Sequence, residues 1–140
     1  MSAASNNFFW YKFPAFLWAI IIWILLTMPG KSLPSINIWN FDKLAHAGVF
    51  FLQALLLYRA LMFPTPILIL KKIKPFIATA VFTFLYGSLS EIYQSLIPDR
   101  TPDVKDAIAN TFGLILFALV LFLWERRKRN SSLESSASKR

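Results

Sequence analysis

The chain contains no cysteine. That excludes disulfides, thiolate catalysis, a cysteine-linked lipid anchor and any cysteine-based zinc site, and leaves open which compartment the loops face. It has a single histidine, four glycines, and seven acidic residues against 15 basic ones. Side chains able to move protons near neutral pH are therefore few, and where they fall is informative. Soluble character is missing as well: 56% of the 140 residues are hydrophobic and 14 are Phe, too apolar for a water-soluble domain in a chain with room for one. The apolar runs lack the period-2 alternation that a membrane barrel needs. After the first run, Met28-Pro29-Gly30-Lys31 offers no small-x-small cleavage site, which favours a retained helix over a signal peptide.

What is present is four long apolar stretches, residues 8–28, 44–63, 75–97 and 107–124. A helical span needs about 20 mostly apolar residues, so the expected fold is all-α, a bundle of four transmembrane helices. Residues 1–7 form a short N-terminal tail, 8–124 the membrane domain, and 125–140 a basic, Ser-rich cytoplasmic tail expected to be disordered. Asn6-Asn7-Phe8-Phe9-Trp10-Tyr11 reads as an aromatic belt at the first membrane entry. Pro29-Gly30 ends the first helix. The loop 31–41 carries an Ile36-x-Ile38-Trp39 patch that suits the headgroup region, the loop 64–74 is rich in Pro and Lys, and 98–102 makes a tight connection between helices three and four.

Charge then sets the orientation. With the N-terminus inside, the inner side holds Lys12, Arg59, Lys71, Lys72, Lys74, Arg126, Arg127, Lys128, Arg129, Lys139 and Arg140, which is 11 of the 15 basic residues. The outer side holds Lys31, Lys43, Arg100 and Lys105. This asymmetry is the positive-inside pattern and puts both termini in the cytoplasm. It also accounts for the net charge of +8 without a nucleic-acid partner; the Glu125-Arg126-Arg127-Lys128-Arg129 run suits anionic lipid.

In that topology the start of helix two, the end of helix three and the start of helix four share the outer face, and there the polar residues concentrate. Asp42, Lys43, His46 and Gln53 open helix two; Gly87, Glu91 and Gln94 close helix three; Arg100, Asp103, Asp106, Asn110 and Gly113 open helix four. The spacings put Asp42, His46 and Gln53 on one face of helix two, Gly87, Glu91 and Gln94 on one face of helix three, and Asp103, Asp106, Asn110 and Gly113 on one face of helix four. An ionisable group costs about 2.5–3.5 kcal/mol at the centre of a membrane helix, so such stripes should turn away from lipid and meet inside the bundle. Gly87 and Gly113 on the same stripes let helices approach or leave room for a substrate.

Each group also has a plain structural explanation. Asp42 can cap helix two, and Thr101-Pro102-Asp103 resembles a helix start, where a carboxylate is favoured by the dipole. Asp106 lies a turn further in, beyond capping range. A buried Glu91 must be protonated, paired or hydrogen-bonded. His46 lies one turn from Asp42, and Lys43 and Arg100 are either carboxylate partners or anion binders.

The ordered set resembles the VanZ-like membrane proteins. It is carried by Asn40-Phe41-Asp42-Lys43-Leu44-Ala45-His46 with Phe50, by Tyr86-Gly87-x-x-x-Glu91-x-x-Gln94, and by Arg100-x-x-Asp103-x-x-Asp106-x-x-x-Asn110-x-x-Gly113. It spans about residues 34–121. The resemblance implies a small multi-helix protein of the bacterial cytoplasmic membrane, in a family whose founding member is linked to low-level resistance to the glycopeptide teicoplanin. It implies no settled biochemical activity.

Two functions fit the residues. In the first, the protein processes a lipid-linked or envelope substrate at the outer leaflet, with His46, Glu91 and Asp106 as the catalytic set and Asp42, Lys43, Gln94, Arg100, Asp103 and Asn110 binding substrate. Asp, Glu and His beside two cations suit acid–base work on a phosphate-bearing lipid. A divalent cation on Asp42, Asp103 and Asp106 oxygens is compatible with this reading. No serine has the spacing of a nucleophile elbow. In the second, the chain is a non-catalytic module that binds a lipid headgroup, a glycopeptide or a partner protein, and the polar groups glue the helices together.

Overall fold

The computed structural model describes residues 9–28, 41–63, 69–98, 100 and 103–137. The N-terminal tail, most of the 31–41 loop with its Ile-Trp patch, part of the 64–74 loop, and Thr101 and Pro102 lie outside the described residues. The described residues are helical with no strand, in the order α1 (Phe13–Thr27), α2 (Phe41–Met62), α3 (Ile69–Gln94) and α4 (Val104–Ala137). Three segments are long and apolar enough to cross a membrane: Asp42–Met62, Ile73–Gln94 and Val104–Ala137. The fourth apolar helix, α1, has 15 residues, about 22 Å at 1.5 Å per residue against a hydrocarbon thickness of about 30 Å. Residues 9–11 are helical ahead of it, with a turn at Lys12 and Pro14 in the first turn of α1. The Phe16 N–H still bonds the Lys12 carbonyl at 3.1 Å across that junction.

The surface is that of a protein in lipid. On α4, Ile108, Phe112, Ile115, Leu119, Phe122 and Leu123 are all exposed, and α3 exposes Ile77, Val81, Phe84, Leu85 and Ile92. Apolar area on this scale is not left to water by a soluble protein.

The bundle is built around α2, which packs against each of the other three helices and most extensively against α4. Gly113 explains that closeness. A Cβ there would collide with the Ala47 carbonyl oxygen and stand 2.9 Å from the Phe51 nitrogen, so α2 backbone occupies the space a side chain would need. Gly87 is a milder case: a Cβ would meet Phe50 at 3.1 Å and Asn110 at 3.3 Å. Away from the polar end, the core is Ala54, Tyr58 and Phe117, with Phe51, Met62, Phe76, Leu114 and Leu121 against it. The Tyr58 and Phe117 rings are tilted with centroids 5.6 Å apart, a favourable aromatic geometry.

α1 is held by polar ties as well as packing. Trp18 Nε1 donates to the Val49 carbonyl at 3.2 Å, and the Tyr86 hydroxyl donates to the Ala19 carbonyl at 2.9 Å. Trp23 lies over Tyr93 at 4.8 Å between centroids, and Tyr11 stacks on Phe63 at 4.2 Å.

The C-terminal segment differs from the expectation of disorder from residue 125. α4 continues through the basic run to Ala137. Glu, Arg and Lys are good helix formers, and the serines bond back along the helix, Ser131 Oγ to the Lys128 carbonyl at 3.0 Å and Ser132 Oγ to the Arg129 carbonyl at 2.7 Å. At 34 residues, α4 is about 51 Å long at 1.5 Å per residue and outruns any bilayer core.

Candidate functional site

At the end of the bundle where α2 and α4 begin and α3 finishes, the sequence stripes meet. Lys43, in the first turn of α2, reaches across to the start of α4. Its Nζ bonds Asp42 Oδ2 at 2.9 Å, Asp103 Oδ2 at 3.1 Å, and Asp106 Oδ1. Three carboxylates thus converge on one ammonium, which is only partly exposed.

His46, one turn along α2, sits between two kinds of neighbour. On one side its Nδ1 lies 3.0 Å from Asn110 Oδ1, and Asn110 Nδ2 donates to Glu91 Oε1 at 3.0 Å. The amide fixes the roles: with its NH2 committed to the carboxylate, its oxygen can only accept, so Nδ1 carries the proton and Nε2 keeps a lone pair in the neutral ring. On the other side Nε2 faces Asp42 Oδ1 at 3.7 Å and Asp106 Oδ2 at 3.9 Å, both beyond hydrogen-bond distance. Asp42 and Asp106 therefore divide their oxygens, one to Lys43 and the other toward the imidazole.

Burial separates the members. Glu91, Gln94, Asp106 and Asn110 are all at most 8% exposed, whereas the Asp42 side chain is 67% exposed. Glu91 Oε2 is buried with no hydrogen-bond partner among the described residues, while Oε1 lies 3.9 Å from His46 Nδ1. Asp103 immediately precedes α4 and caps it, Oδ1 accepting from the Lys105 backbone N–H at 2.9 Å. That bond and the Lys43 ammonium hold its carboxyl below the usual carboxylate range. Asp42 lies inside the first turn of α2 rather than ahead of it, so it is placed to favour the dipole, not to cap.

Arg100 resolves differently from either sequence alternative. Its Nε donates to the Met28 carbonyl at 3.1 Å and its Nη2 to the Leu25 carbonyl at 3.0 Å. It satisfies carbonyls left over at the end of α1, where a cation also complements the helix dipole. Arg100 still borders a cavity of about 200 Å³, together with Asp42, His46, Ser90 and Gln94 on the polar side and Ile22, Leu25, Leu26 and Val49 on the apolar side. The cavity is amphipathic: α1 supplies much of its greasy wall, and α2 and α3 supply its polar groups.

The expected catalytic residues His46, Glu91 and Asp106 come together here, with Asp42, Lys43, Asp103 and Asn110 bonded among or against them. Gln94 is buried at the cavity wall, and Arg100 stands at its edge on a structural errand. Three residues absent from the expected set line the cavity or extend its polar stripe. Ser90 is buried, lines the cavity and donates to the Gly87 carbonyl at 2.6 Å. Thr79 and Thr83, buried with hydroxyls that find no partner among the described residues, continue the Gly87–Glu91 stripe inward at four-residue steps. Extending that stripe backward along the sequence would have found the two threonines; nothing in the spacing marks Ser90.

No curated protein and no solved structure matches the chain. The sequence profile described as VanZ/LLP1 matches residues 8–125, a stretch that contains α1, α2, α3, the apolar part of α4 and every member of the polar cluster. The chain is a membrane-helix protein of the VanZ/LLP1 family.

Proposed function

We propose that this protein works at the outer leaflet of the bacterial cytoplasmic membrane, processing a lipid-linked or envelope substrate with His46, Glu91 and Asp106. The observation that carries this reading is the imidazole with one nitrogen oriented by Asn110 and the other left facing two carboxylates beside an amphipathic cavity. A group held in one tautomer with its second nitrogen unengaged is arranged for proton transfer or ligand binding, not for stability alone. A cavity with one apolar and one polar wall suits the part of a lipid where headgroup meets chain. The orientation rests on the basic asymmetry, with four spans and both termini in the cytoplasm. Residues 9–27, taken as one helical path, reach about 28 Å at 1.5 Å per residue, enough for the fourth span. The link of the family's founding member to teicoplanin resistance is the reason for taking a cell-wall precursor lipid as the substrate class.

A non-catalytic module is favoured by one specific observation. Lys43 bonds three carboxylates and Arg100 ties two carbonyls at the end of α1, which is how a helix lock is built. The two readings separate in nanodiscs loaded with a polyprenyl diphosphate-linked precursor and followed by mass spectrometry of extracted lipid. Turnover by the wild-type chain, abolished by Asp106→Asn and His46→Gln in protein that stays folded, supports processing. Retention of unchanged lipid by all three proteins supports the binding module and refutes catalysis.

A further inference from the structure

We propose that Asp42, His46 and Asp106 form a binding site for one divalent transition-metal ion of the Zn2+ class. The site shares its place with the reading above, but the proposal holds whether the protein is catalytic or a binding module.

The ligand atoms are the free halves of groups already fixed by other bonds. His46 offers Nε2, because Asn110 occupies Nδ1 and is itself held by Glu91. Metal-bound histidines are ordinarily held this way, with the second nitrogen donating to an oxygen that sets the tautomer and the ring angle. Asp42 and Asp106 each have one oxygen on Lys43, and turn Oδ1 and Oδ2, respectively, toward Nε2.

Distances fit after a small closure. Zn–N and Zn–O bonds of about 2.0–2.2 Å put tetrahedral ligand atoms about 3.3–3.5 Å apart. Nε2 stands 3.7 and 3.9 Å from the two carboxylate oxygens, and one ligand atom from each of the three residues can be chosen so that all lie within 4.8 Å of one another. Asp42, with its side chain 67% exposed, has room to draw in. At the observed spacing Nε2 is too far for a hydrogen bond to either oxygen, so a cation answers the gap where a direct contact does not.

Charge points the same way, from a different residue. Glu91 is 7% exposed and its Oε2 has no hydrogen-bond partner among the described residues, while its other oxygen lies 3.9 Å from the imidazole. Asp42, Asp103, Asp106 and Glu91 bring four carboxylates to one place, and Lys43 is the side-chain cation bonded among them. A divalent ion balances that excess. One imidazole with carboxylates suits Zn2+ and its neighbours rather than Mg2+, which prefers oxygen and water.

The ligand set differs from three carboxylates alone. Asp103 is spent on Lys43 and on the cap of α4, and His46 takes its place. The cavity borders Asp42 and His46, so a fourth position has access to water or substrate, the arrangement of catalytic rather than purely structural zinc sites. With an ion bound, Nε2 is a ligand and proton transfer falls to Glu91.

The test uses the full chain in detergent, stripped with EDTA and titrated with Zn2+ under native mass spectrometry. Expected are one Zn2+ per chain, loss of binding by at least tenfold in His46→Gln and Asp106→Asn, near-wild-type binding in Asp103→Asn, and no displacement by a large excess of Mg2+. Absence of a stoichiometric ion, or equal binding in His46→Gln, overturns the proposal. Should either variant fail to fold, Co2+ added to the wild-type chain decides alone. Intense visible absorption of a four-coordinate N/O site supports it; the weak spectrum of hydrated Co2+ refutes it. Since the readout is binding, failure here leaves the lipid-turnover result standing, and the converse.

Discussion

His46 is the only histidine in the chain, so a selectively 15N-labelled sample reports on that one ring. With Asn110 Oδ1 as acceptor, Nδ1 carries the proton in the neutral state. The metal-free wild-type protein should therefore show the Nδ1–H tautomer, and Asn110→Leu should lose the preference toward the Nε2–H form that dominates in water. An unchanged spectrum in the variant would show that Asn110 does not orient the ring. Glu91→Gln makes a second test at the same scale. The amide preserves shape and can still accept from Asn110 through its oxygen, so fold and membrane level should hold while the ionisable carboxyl is lost. If Glu91 serves only as a structural lock, function and level should fall together. At this scale the sequence was a good guide to which residues gather, because polar groups on an apolar helix have few places to go. It was a poor guide to pairing. Lys43 and Arg100 were equivalent candidates, yet Lys43 gathers the carboxylates while Arg100 closes the end of α1. Nothing in the linear spacing reveals that carbonyls 72 and 75 positions earlier lie within its reach.

Among the elements, the α2–α4 contact rests on Gly113. Gly113→Ala puts a methyl against Ala47 backbone, and backbone cannot swing aside as a side chain can. The helices must separate, at a cost of about 1–3 kcal/mol. Thermal unfolding in detergent should register it, with Gly48→Ala as the control, since a Cβ there meets nothing within 4 Å. Equal stability of the two variants would contradict the close approach. Arg100→Gln should loosen α1 specifically, seen as faster backbone hydrogen exchange over residues 13–28 with α2 unchanged. The start of α4 carries a pH signature. Because the folded pKa of Asp103 is depressed, its contribution is present above the unfolded carboxylate pKa and fades as pH falls through the lower folded value. The stability gap between wild type and Asp103→Asn should accordingly close on acidification. Helix number and order were legible from hydropathy, but the ends were not. α4 outran its apolar stretch because the basic, Ser-containing segment keeps helix propensity after its hydrophobicity has gone. α1 fell short because Pro14 restarts the helix after the turn at Lys12.

For the whole molecule, the fold is a device for bringing three helix ends to one level, and the meaning of the cluster depends on which side of the membrane that level occupies. The proposed orientation, in which the 11-to-4 division of basic residues keeps the loops rich in Lys and Arg in the cytoplasm, puts it at the outer face. The absence of cysteine makes the question directly measurable: single cysteines at Ser35, in the loop between the first two apolar stretches, at Lys105, in the first turn of α4, and at Ser131, toward the far end of α4, can be labelled in intact cells with a membrane-impermeant maleimide. Labelling of positions 35 and 105 from outside, and of 131 only after the membrane is opened, is the predicted result. Protection of 35 and 105 with labelling of 131 from outside would contradict it and would place the cluster on the cytoplasmic face.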